Sequence, residues 1–348
     1  MEIKNLFIQS ANINYKMEIL VAKHAGFCFG VKKAIELAEE TALKNQDRKT
    51  YVFGQLVHNE EVISDLERKG IVFAESIEEI PQNSNVVLRA HGEPGTTYKL
   101  LGEKSITANS QLLTDATCPL VTLVHNIAIK LKNSGYEIII FGKKDHPESI
   151  GTRYYIKGEK TFIVENPSGY MSVIDYISKN KFEKAAIISQ TTMSVHGYKN
   201  LIEQINDNID DIDKKFVEIP LNMRNLEIKH GFVDTICQPT KQRQYDTEEV
   251  AKISEVMIVI GGKNSSNTKE LAATCKKFGA ETYFIQSSSQ LEKEWFVGKN
   301  KIGVTAGAST PDSAIKKVID KIKKIGIGIN NEVDGVVHES QDKIFDYN

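Results

Sequence analysis

Residues 115–142 read DATCPLVTLVHNIAIKLKNSGYEIIIFG, in which Cys118 is followed by a helical pattern and then by an apolar run that ends in Gly142. The apolar positions behind the cysteine recur three or four residues apart, which is the spacing of one helix face. They are Val121, Val124, Ala128 and Leu131. The segment therefore predicts a helix that begins at a cysteine and a buried strand that follows it.

The same order recurs around two other cysteines. GFCFGV at 26–31 precedes a run that ends at Gly54, and DTICQP at 234–239 precedes a run that ends at Gly261. Each of these glycines is followed by two more short apolar runs. Short β-branched runs that alternate with helical stretches predict βαβ units and parallel sheets. We therefore expect an α/β protein with three pseudo-repeated units and small, mainly parallel sheets.

The repeats suggest where these units begin and end. We assign unit 1 to residues 17–112, unit 2 to 113–215 and unit 3 to 216–326. Residues 1–16 form a lead before a second methionine, and residues 327–348 form a tail. The sequence assigns a role to neither the lead nor the tail.

Polar residues follow the predicted strands in all three units. Ligand groups gather beyond the carboxyl ends of parallel strands, so these residues are expected to meet at one centre. They are His58, His91, His146, Thr191, Ser265 and Ser309. The loop 261–267 combines glycine, hydroxyl and amide groups ahead of a helix, as anion-binding loops do. Taken singly, each position equally fits a capped helix start or a surface residue.

The overall composition excludes several classes of partner. The 348 residues include 44 basic and 46 acidic side chains, and a net charge of −2 does not favour nucleic acid or a membrane surface. No apolar run approaches the roughly 18–20 residues that span a bilayer, and no signal peptide is evident. We expect a cytoplasmic protein, in which four cysteines serve metals, catalysis or packing rather than disulfides.

The four cysteines fall into two kinds. Cys275 shares a helical stripe with Leu271 and Phe278 and is expected to be a buried core thiol. Cys28, Cys118 and Cys237 occupy equivalent repeat positions. Cys28 and Cys118 lie at predicted helix starts, where the helix dipole favours thiolate. Three thiolates suit either an iron–sulfur cluster with one open iron or a zinc site with an open position. Without a dinucleotide fingerprint, electrons are expected from another protein.

A series of motifs resembles the 4-hydroxy-3-methylbut-2-enyl diphosphate reductase family of the non-mevalonate isoprenoid pathway, from about Met17 to about Lys323. The motifs are GFCxGV at 26–31, VHN at 57–59, AHG at 90–92, DATCPLVT at 115–122, HPE at 146–148, QTT at 190–192, DxIC at 234–237, KNSSN at 263–267 and TAGASxPD at 305–312. The resemblance implies three α/β units around a central 4Fe–4S cluster.

The resemblance also implies roles for single residues. The cluster ligands would be Cys28, Cys118 and Cys237. The groups that hold the diphosphate would be His58, His91, Ser265, Ser266, Asn267 and Ser309. His146 and Thr191 would lie beside the substrate and take part in catalysis, and Glu148 would be the proton donor.

The implied reaction is the reductive dehydroxylation of (E)-4-hydroxy-3-methylbut-2-enyl diphosphate to isopentenyl diphosphate and dimethylallyl diphosphate. A ferredoxin or flavodoxin would supply the electrons. Two alternatives make different demands on the chain. An iron–sulfur hydro-lyase acting on a hydroxylated anionic substrate would need no reductant. A redox sensor or a zinc-stabilised binding protein would bind no small diphosphate.

Overall fold

The computed structural model describes residues 16–107, 110–111, 113–158, 160–209, 214–222, 228–328 and 332–336. The predicted lead, apart from its last residue, and most of the predicted tail lie outside these ranges. Among the described residues, no helix is both long and apolar enough to cross a membrane.

The strands are short and follow one another along most of the chain. In chain order they are β1 (Lys16–Val21), β2 (Thr50–Phe53), β3 (Val72–Ala74), β4 (Asn85–Leu88), β5 (Ile106–Thr107), β6 (Ser110–Gln111), β7 (Leu113–Asp115), β8 (Glu137–Phe141), β9 (Phe162–Val164), β10 (Ala185–Ser189), β11 (Val217–Glu218), β12 (His230–Val233), β13 (Val256–Ile260), β14 (Glu281–Ile285), β15 (Lys301–Ala306) and β16 (Glu332–Val336).

Helices separate most of these strands. They are α1 (Phe29–Lys44), α2 (Glu60–Arg68), α3 (Gly95–Ser105), α4 (Pro119–Asn133), α5 (Pro147–Tyr155), α6 (Tyr170–Asn180), α7 (Val195–Asp207), α8 (Gln238–Ile253), α9 (Ser266–Lys277) and α10 (Asp312–Gly328). Strands such as β8, β10 and β13 are almost wholly buried, because helices cover both faces of a parallel sheet.

Three parallel sheets share one strand order. The first sheet runs β3-β2-β4-β7, the second β9-β8-β10-β12 with β11 at its edge, and the third β14-β13-β15-β1 with β16 at its edge. Within each sheet every neighbouring pair is parallel. The predicted α/β class with pseudo-repeated units is confirmed. The small antiparallel pair β5-β6 stands apart.

The fourth strand of each sheet leads directly to a cysteine. β7 ends ahead of Cys118, β12 ahead of Cys237, and β1 ahead of Cys28. The helix after each cysteine then belongs with the next sheet along the chain, and β1 returns the arrangement from the third sheet to the first. The chain therefore passes from one unit to the next three times, and it does so at a cysteine each time.

This crossing divides the chain differently from the predicted boundaries. Unit 1 was expected to end at 112, but β7 completes the first sheet by pairing Leu113 with Val86. β11 and β12, beyond the predicted boundary at 216, complete the second sheet in the same way. β1, expected in unit 1, pairs with β15 of the third sheet, and β16 lies within the predicted tail. The cause is that each apolar run ahead of a cysteine joins a different sheet from the helix that follows it. β7 pairs with β4, β12 with β10 and β1 with β15.

Cys275 lies where its helical stripe predicts. It is fully buried in α9 and packs in a core cluster that includes Leu271 and Met257. Phe278 is partly buried against the same cluster. This thiol is a packing residue remote from the other three.

Candidate active site: a central cavity between the three sheets

One cavity collects all of the predicted site residues. Its lining includes Cys28, His58, His91, Cys118, His146, Glu148, Thr191, Cys237, Ser265, Ser266, Asn267 and Ser309. The polar residues follow the carboxyl ends of strands from all three sheets, as expected for parallel sheets. Cysteine, histidine and hydroxyl groups thus converge although no single unit holds the whole set.

Cys28, Cys118 and Cys237 form what we call the thiol face. Each is the N-cap residue of a helix, α1, α4 and α8 respectively, with extended backbone angles and no side-chain capping bond. The helices approach one another closely. A Cβ atom at Gly30 would lie 2.6 Å from Cys118 Sγ, so only glycine admits this contact. The second glycine of GFCFG therefore has a steric cause.

Burial controls the protonation of two of these thiols. It raises the pKa of Cys118 to about 11 and that of Cys237 to about 12. The expectation that a helix start favours thiolate is therefore wrong for Cys118 as a free thiol, since desolvation outweighs the nearby N–H groups. A neutral thiol is a poor nucleophile, which disfavours a redox-sensor role. A bound metal centre displaces the proton directly, so the set suits metal ligands.

Three histidines lie together at another part of the cavity. Ring centroids are 4.4 Å apart for His58 and His91, 5.4 Å for His91 and His146, and 5.9 Å for His58 and His146. Burial lowers the pKa of His58 to about 4, that of His146 to about 3, and that of His91 well below its usual value. The charge of Arg89 acts in the same direction on all three. At neutral pH the histidines are uncharged.

Local hydrogen bonds give two of these rings opposite roles. His146 Nδ1 accepts the backbone N–H of Glu148 at 3.2 Å, so the neutral ring carries its proton on Nε2. His58 Nδ1 lies 3.0 Å from the amide oxygen of Gln55, which can only accept, so its Nε2 bears a lone pair. The three rings are near enough to share a metal, with ligand atoms within 4.8 Å. The N–H at His146 Nε2 suits an anion instead.

The start of α9 adds hydroxyl and amide groups. Ser265 Oγ accepts the N–H of Thr268 at 3.2 Å, which leaves the Ser265 hydroxyl proton free to donate. Asn267 is only 3 % exposed, and neither its amide nitrogen nor its oxygen has a partner among the described residues. Such an unmet amide costs about 1–3 kcal/mol, so the position is adapted to a ligand. We call His58, His91, His146, Ser265 and Asn267 the polar face.

Ser309 differs from the other predicted phosphate ligands. Its hydroxyl donates to the backbone oxygen of His58 at 3.1 Å. This bond ties the loop after β15 to the loop after β2. Ser309 must rotate before it can donate to a bound anion.

Glu148 is a buried carboxyl held by one neighbour. It is 2 % exposed, and its two oxygens accept the Thr191 backbone N–H at 2.7 Å and the Thr191 hydroxyl at 2.8 Å. Burial raises the pKa of Glu148 to about 7, against the effect of the two Thr191 bonds. A carboxyl near half-protonation at neutral pH is suited to general acid catalysis.

Two further residues position this machinery and were not foreseen from the sequence. Gln55 sets the tautomer of His58, as described above. Gln244, within α8, accepts the N–H of Val195 at 2.8 Å and donates to the oxygen of Met193 at 2.9 Å. It therefore fixes the loop that follows Thr191. A glutamine in the middle of a helix gives no sequence signal for such a contact.

The chain is similar to known proteins over most of its length. The family model described as LytB protein matches residues 19–323. The 4-hydroxy-3-methylbut-2-enyl diphosphate reductase of Caldanaerobacter subterraneus is 37 % identical over 311 residues, covering 89 % of this chain and 98 % of that protein. The enzyme of the same name from Nitratiruptor is 39 % identical over 312 residues, covering 89 % and 100 %.

Two solved structures have the same fold. A structure of (E)-4-hydroxy-3-methyl-but-2-enyl diphosphate reductase, 35 % identical, covers 88 % of this chain and 99 % of its own with a TM-score of 0.59. The Plasmodium falciparum E-1-hydroxy-2-methyl-but-2-enyl-4-diphosphate reductase, 26 % identical, covers 92 % and 91 % with a TM-score of 0.76. The predicted resemblance is confirmed, and the chain belongs to the LytB family of 4-hydroxy-3-methylbut-2-enyl diphosphate reductases.

Proposed function

We propose that the protein reduces (E)-4-hydroxy-3-methylbut-2-enyl diphosphate to isopentenyl diphosphate and dimethylallyl diphosphate. One observation carries the proposal. A single cavity joins three converging thiols, a buried carboxyl with a pKa of about 7, and a neutral polar face that includes an amide without a partner among the described residues. This combination provides for electrons, a proton and an anion in one place.

The thiol face is assigned to a 4Fe–4S cluster held by Cys28, Cys118 and Cys237, with one iron free of protein ligands. Membership of the family implies a cofactor. The donor set supports this cofactor, because three partly buried thiols at helix starts match the ligation of such clusters. When bound, the cluster supplies electrons one at a time and an open iron with Lewis-acid character.

The polar face binds the diphosphate. His146 Nε2–H and the Ser265 hydroxyl offer donors that no bond among the described residues uses, and the Asn267 amide adds another. His58 becomes a donor only when it takes up a proton. His91, Ser266 and Ser309 complete the set that surrounds the anion. The neutral rings add no charge of their own to the site, and the substrate supplies the negative charge.

Glu148 and Thr191 handle the proton that the reaction needs at oxygen. The overall change breaks the allylic C–O bond, consumes two electrons and two protons, and releases water. Protonated Glu148 gives its proton towards the departing hydroxyl, through the Thr191 hydroxyl or a water. The 2.8 Å bond between Glu148 Oε2 and Thr191 Oγ1 supplies the first link of that relay.

The electron donor is assigned to a ferredoxin or flavodoxin in the cytoplasm. The sequence holds no dinucleotide fingerprint that would bring a nicotinamide to the site. All four cysteines are free, as is usual in a reducing compartment.

The test combines metal analysis with an assay. Protein purified without oxygen should hold about four irons and about four sulfides per chain. It should consume the diphosphate only when a reductant such as dithionite is present. Turnover without reductant would indicate the hydro-lyase, and zinc without sulfide would contradict the cluster.

A further inference from the structure

Arg243 is a buried cation beside the thiol face. It lies on α8, which begins at Cys237, and only 4 % of it is exposed. Burying a guanidinium is costly unless hydrogen bonds and a negative charge compensate it. The residues around Arg243 should therefore show where that compensation comes from.

Its hydrogen bonds join two cysteine segments. Arg243 Nη2 and Nε donate to the backbone oxygen of Gly26 at 2.6 and 3.2 Å, and Nη1 donates to the oxygen of Pro239 at 2.8 Å. Gly26 lies two residues before Cys28, and Pro239 lies two residues after Cys237. One guanidinium thus fastens the Cys28 loop to the start of α8.

Gly26 is suited to this contact. Its φ of +100° belongs to the region that favours glycine, and a Cβ atom there would lie 2.9 Å from Asp312 Oδ1. The loop can therefore turn its carbonyl oxygen towards Arg243 without a side chain in the way. The glycine of GFCFG at position 26 and Arg243 form one fitted pair.

The negative charge that would compensate Arg243 does not come from a carboxylate in direct contact with it. Among the described residues, no Asp or Glu makes an ion pair with Arg243. Asp246 is the nearest acid on the same helix, but it bonds to His24 instead. The backbone N–H and Nδ1 of His24 lie 2.8 and 2.5 Å from Asp246 Oδ2. In their thiolate forms, Cys28 and Cys237 raise the pKa of Arg243 more than Asp246 does, against the lowering effect of burial.

We propose that Arg243 is the built-in counter-charge of the iron–sulfur cluster and, by joining the Cys28 loop to α8, the residue that positions two of its three ligands. The inference rests on the cluster assigned under the proposed function. A cluster gains negative charge when it is reduced, and a permanent cation nearby stabilises the reduced form. Arg243 therefore raises the reduction potential and makes the cluster easier to charge.

Two substitutions separate charge from anchoring. Arg243→Lys keeps the positive charge but cannot make the forked contact with both carbonyl oxygens. Arg243→Gln keeps a donor but removes the charge. Lys252→Gln is the matched control, because it removes a positive charge from the exposed far end of α8, where Lys252 pairs with Glu248. Each full-length protein is purified without oxygen, and its iron, sulfide and reduction midpoint are measured by dithionite titration.

We expect Lys252→Gln to match the wild type and Arg243→Lys to stay close to it in potential, even if it holds less iron. Arg243→Gln should take up a cluster with a clearly more negative midpoint, or should fail to retain one that Arg243→Lys retains. Either result supports a counter-charge.

Two results would overturn this inference and leave the proposed function unaffected. One is a full cluster in Arg243→Gln with the wild-type potential. The other is equal iron loss in both Arg243 variants with no change in the potential of the remaining cluster, which would make Arg243 a structural anchor only. Wild-type protein without iron and sulfide would overturn the proposed cluster and, with it, this inference.

Discussion

The thiol face and the polar face share one cavity but are held in different ways. The cysteines owe their positions to the backbone, since each caps a helix without a capping bond from its sulfur. The polar face is arranged by side-chain bonds to Gln55, Glu148 and Thr268 that fix where protons and lone pairs point. Backbone geometry therefore determines the thiol face, whereas the positions of protons and lone pairs determine the polar face.

This difference determines how each face should respond to substitution. In the proposed assignment the three cysteines hold one metal centre together, so losing one should remove the whole centre. The polar face distributes its contacts over several independent groups, so single losses there should be graded. Glu148, the proposed proton donor, lies between these cases because it is the one carboxyl group among the described residues that line the cavity.

The largest effect is expected at the thiol face. Cys237→Ala should lose most of its iron and all measurable turnover, because a cluster with two protein ligands is poorly held. Cys275→Ala is the matched control, since that buried thiol packs in a core cluster with Leu271 and Met257 and does not line the cavity. Iron and sulfide analysis compares them, and equal retention in both variants would break the distinction between the faces.

Glu148→Gln should come next. Loss of a general acid lowers turnover by roughly 10²–10⁴-fold while the visible spectrum of the cluster stays unchanged. Wild-type kcat should fall as pH rises through about 7, because a pKa raised to that value leaves the acid form dominant only below it. The variant should lack this limb. Glu249→Gln, an exposed site on α8, serves as control, and a normal pH profile in Glu148→Gln would remove the carboxyl from the acid role.

Asn267→Ala tests whether the polar face sacrifices stability for binding. KM should rise by roughly 5–150-fold, which corresponds to about 1–3 kcal/mol for a lost contact to a charged group. The melting temperature should stay level or rise, because the buried amide has no partner among the described residues. Asn264→Ala, an exposed neighbour in the same loop, should change neither quantity. A lower melting temperature with normal KM would show that Asn267 is a structural residue.

The smallest effect is expected at Gln55. Neutral His58, with a pKa of about 4, must take up a proton to donate to the diphosphate, so affinity should fall as pH rises above about 4 and through neutrality. Gln55→Glu should make binding tighter and less dependent on pH, because a carboxylate favours the charged ring. Gln55→Leu should weaken binding a few-fold. Calorimetry in two buffers of different protonation enthalpy counts the protons, and a count of zero for the wild type would contradict this account.

The sequence predicted the strands and the cavity lining because both follow local patterns. Runs that end at Gly54, Gly142 and Gly261 contain β2, β8 and β13, and the polar residues after them meet at one cavity. Each cysteine could be sorted because its neighbours carry a repeat or a helical stripe.

Contacts between distant segments could not be predicted in this way. Arg243 and Gly26 are 217 positions apart, and Gln244 reaches Val195 on a different unit. The sheet to which β1 belongs could not be predicted for the same reason, because nothing in the sequence near Lys16 indicates that this strand pairs with the one that begins at Lys301. Protonation also escaped prediction, since burial of Cys118 and Cys237 outweighs the local effect of a helix start.

The position of β1 between β15 and β16 has a consequence for folding during translation. Glu18 is translated early but pairs with Lys301 and Asp334. At roughly 5–20 residues per second, the nascent strand waits some tens of seconds for these partners. During that time the strand that contains the apolar residues Ile19, Leu20 and Val21 is unpaired, and it can pair with a wrong strand. The third sheet therefore cannot be completed until residues 332–336 have been translated.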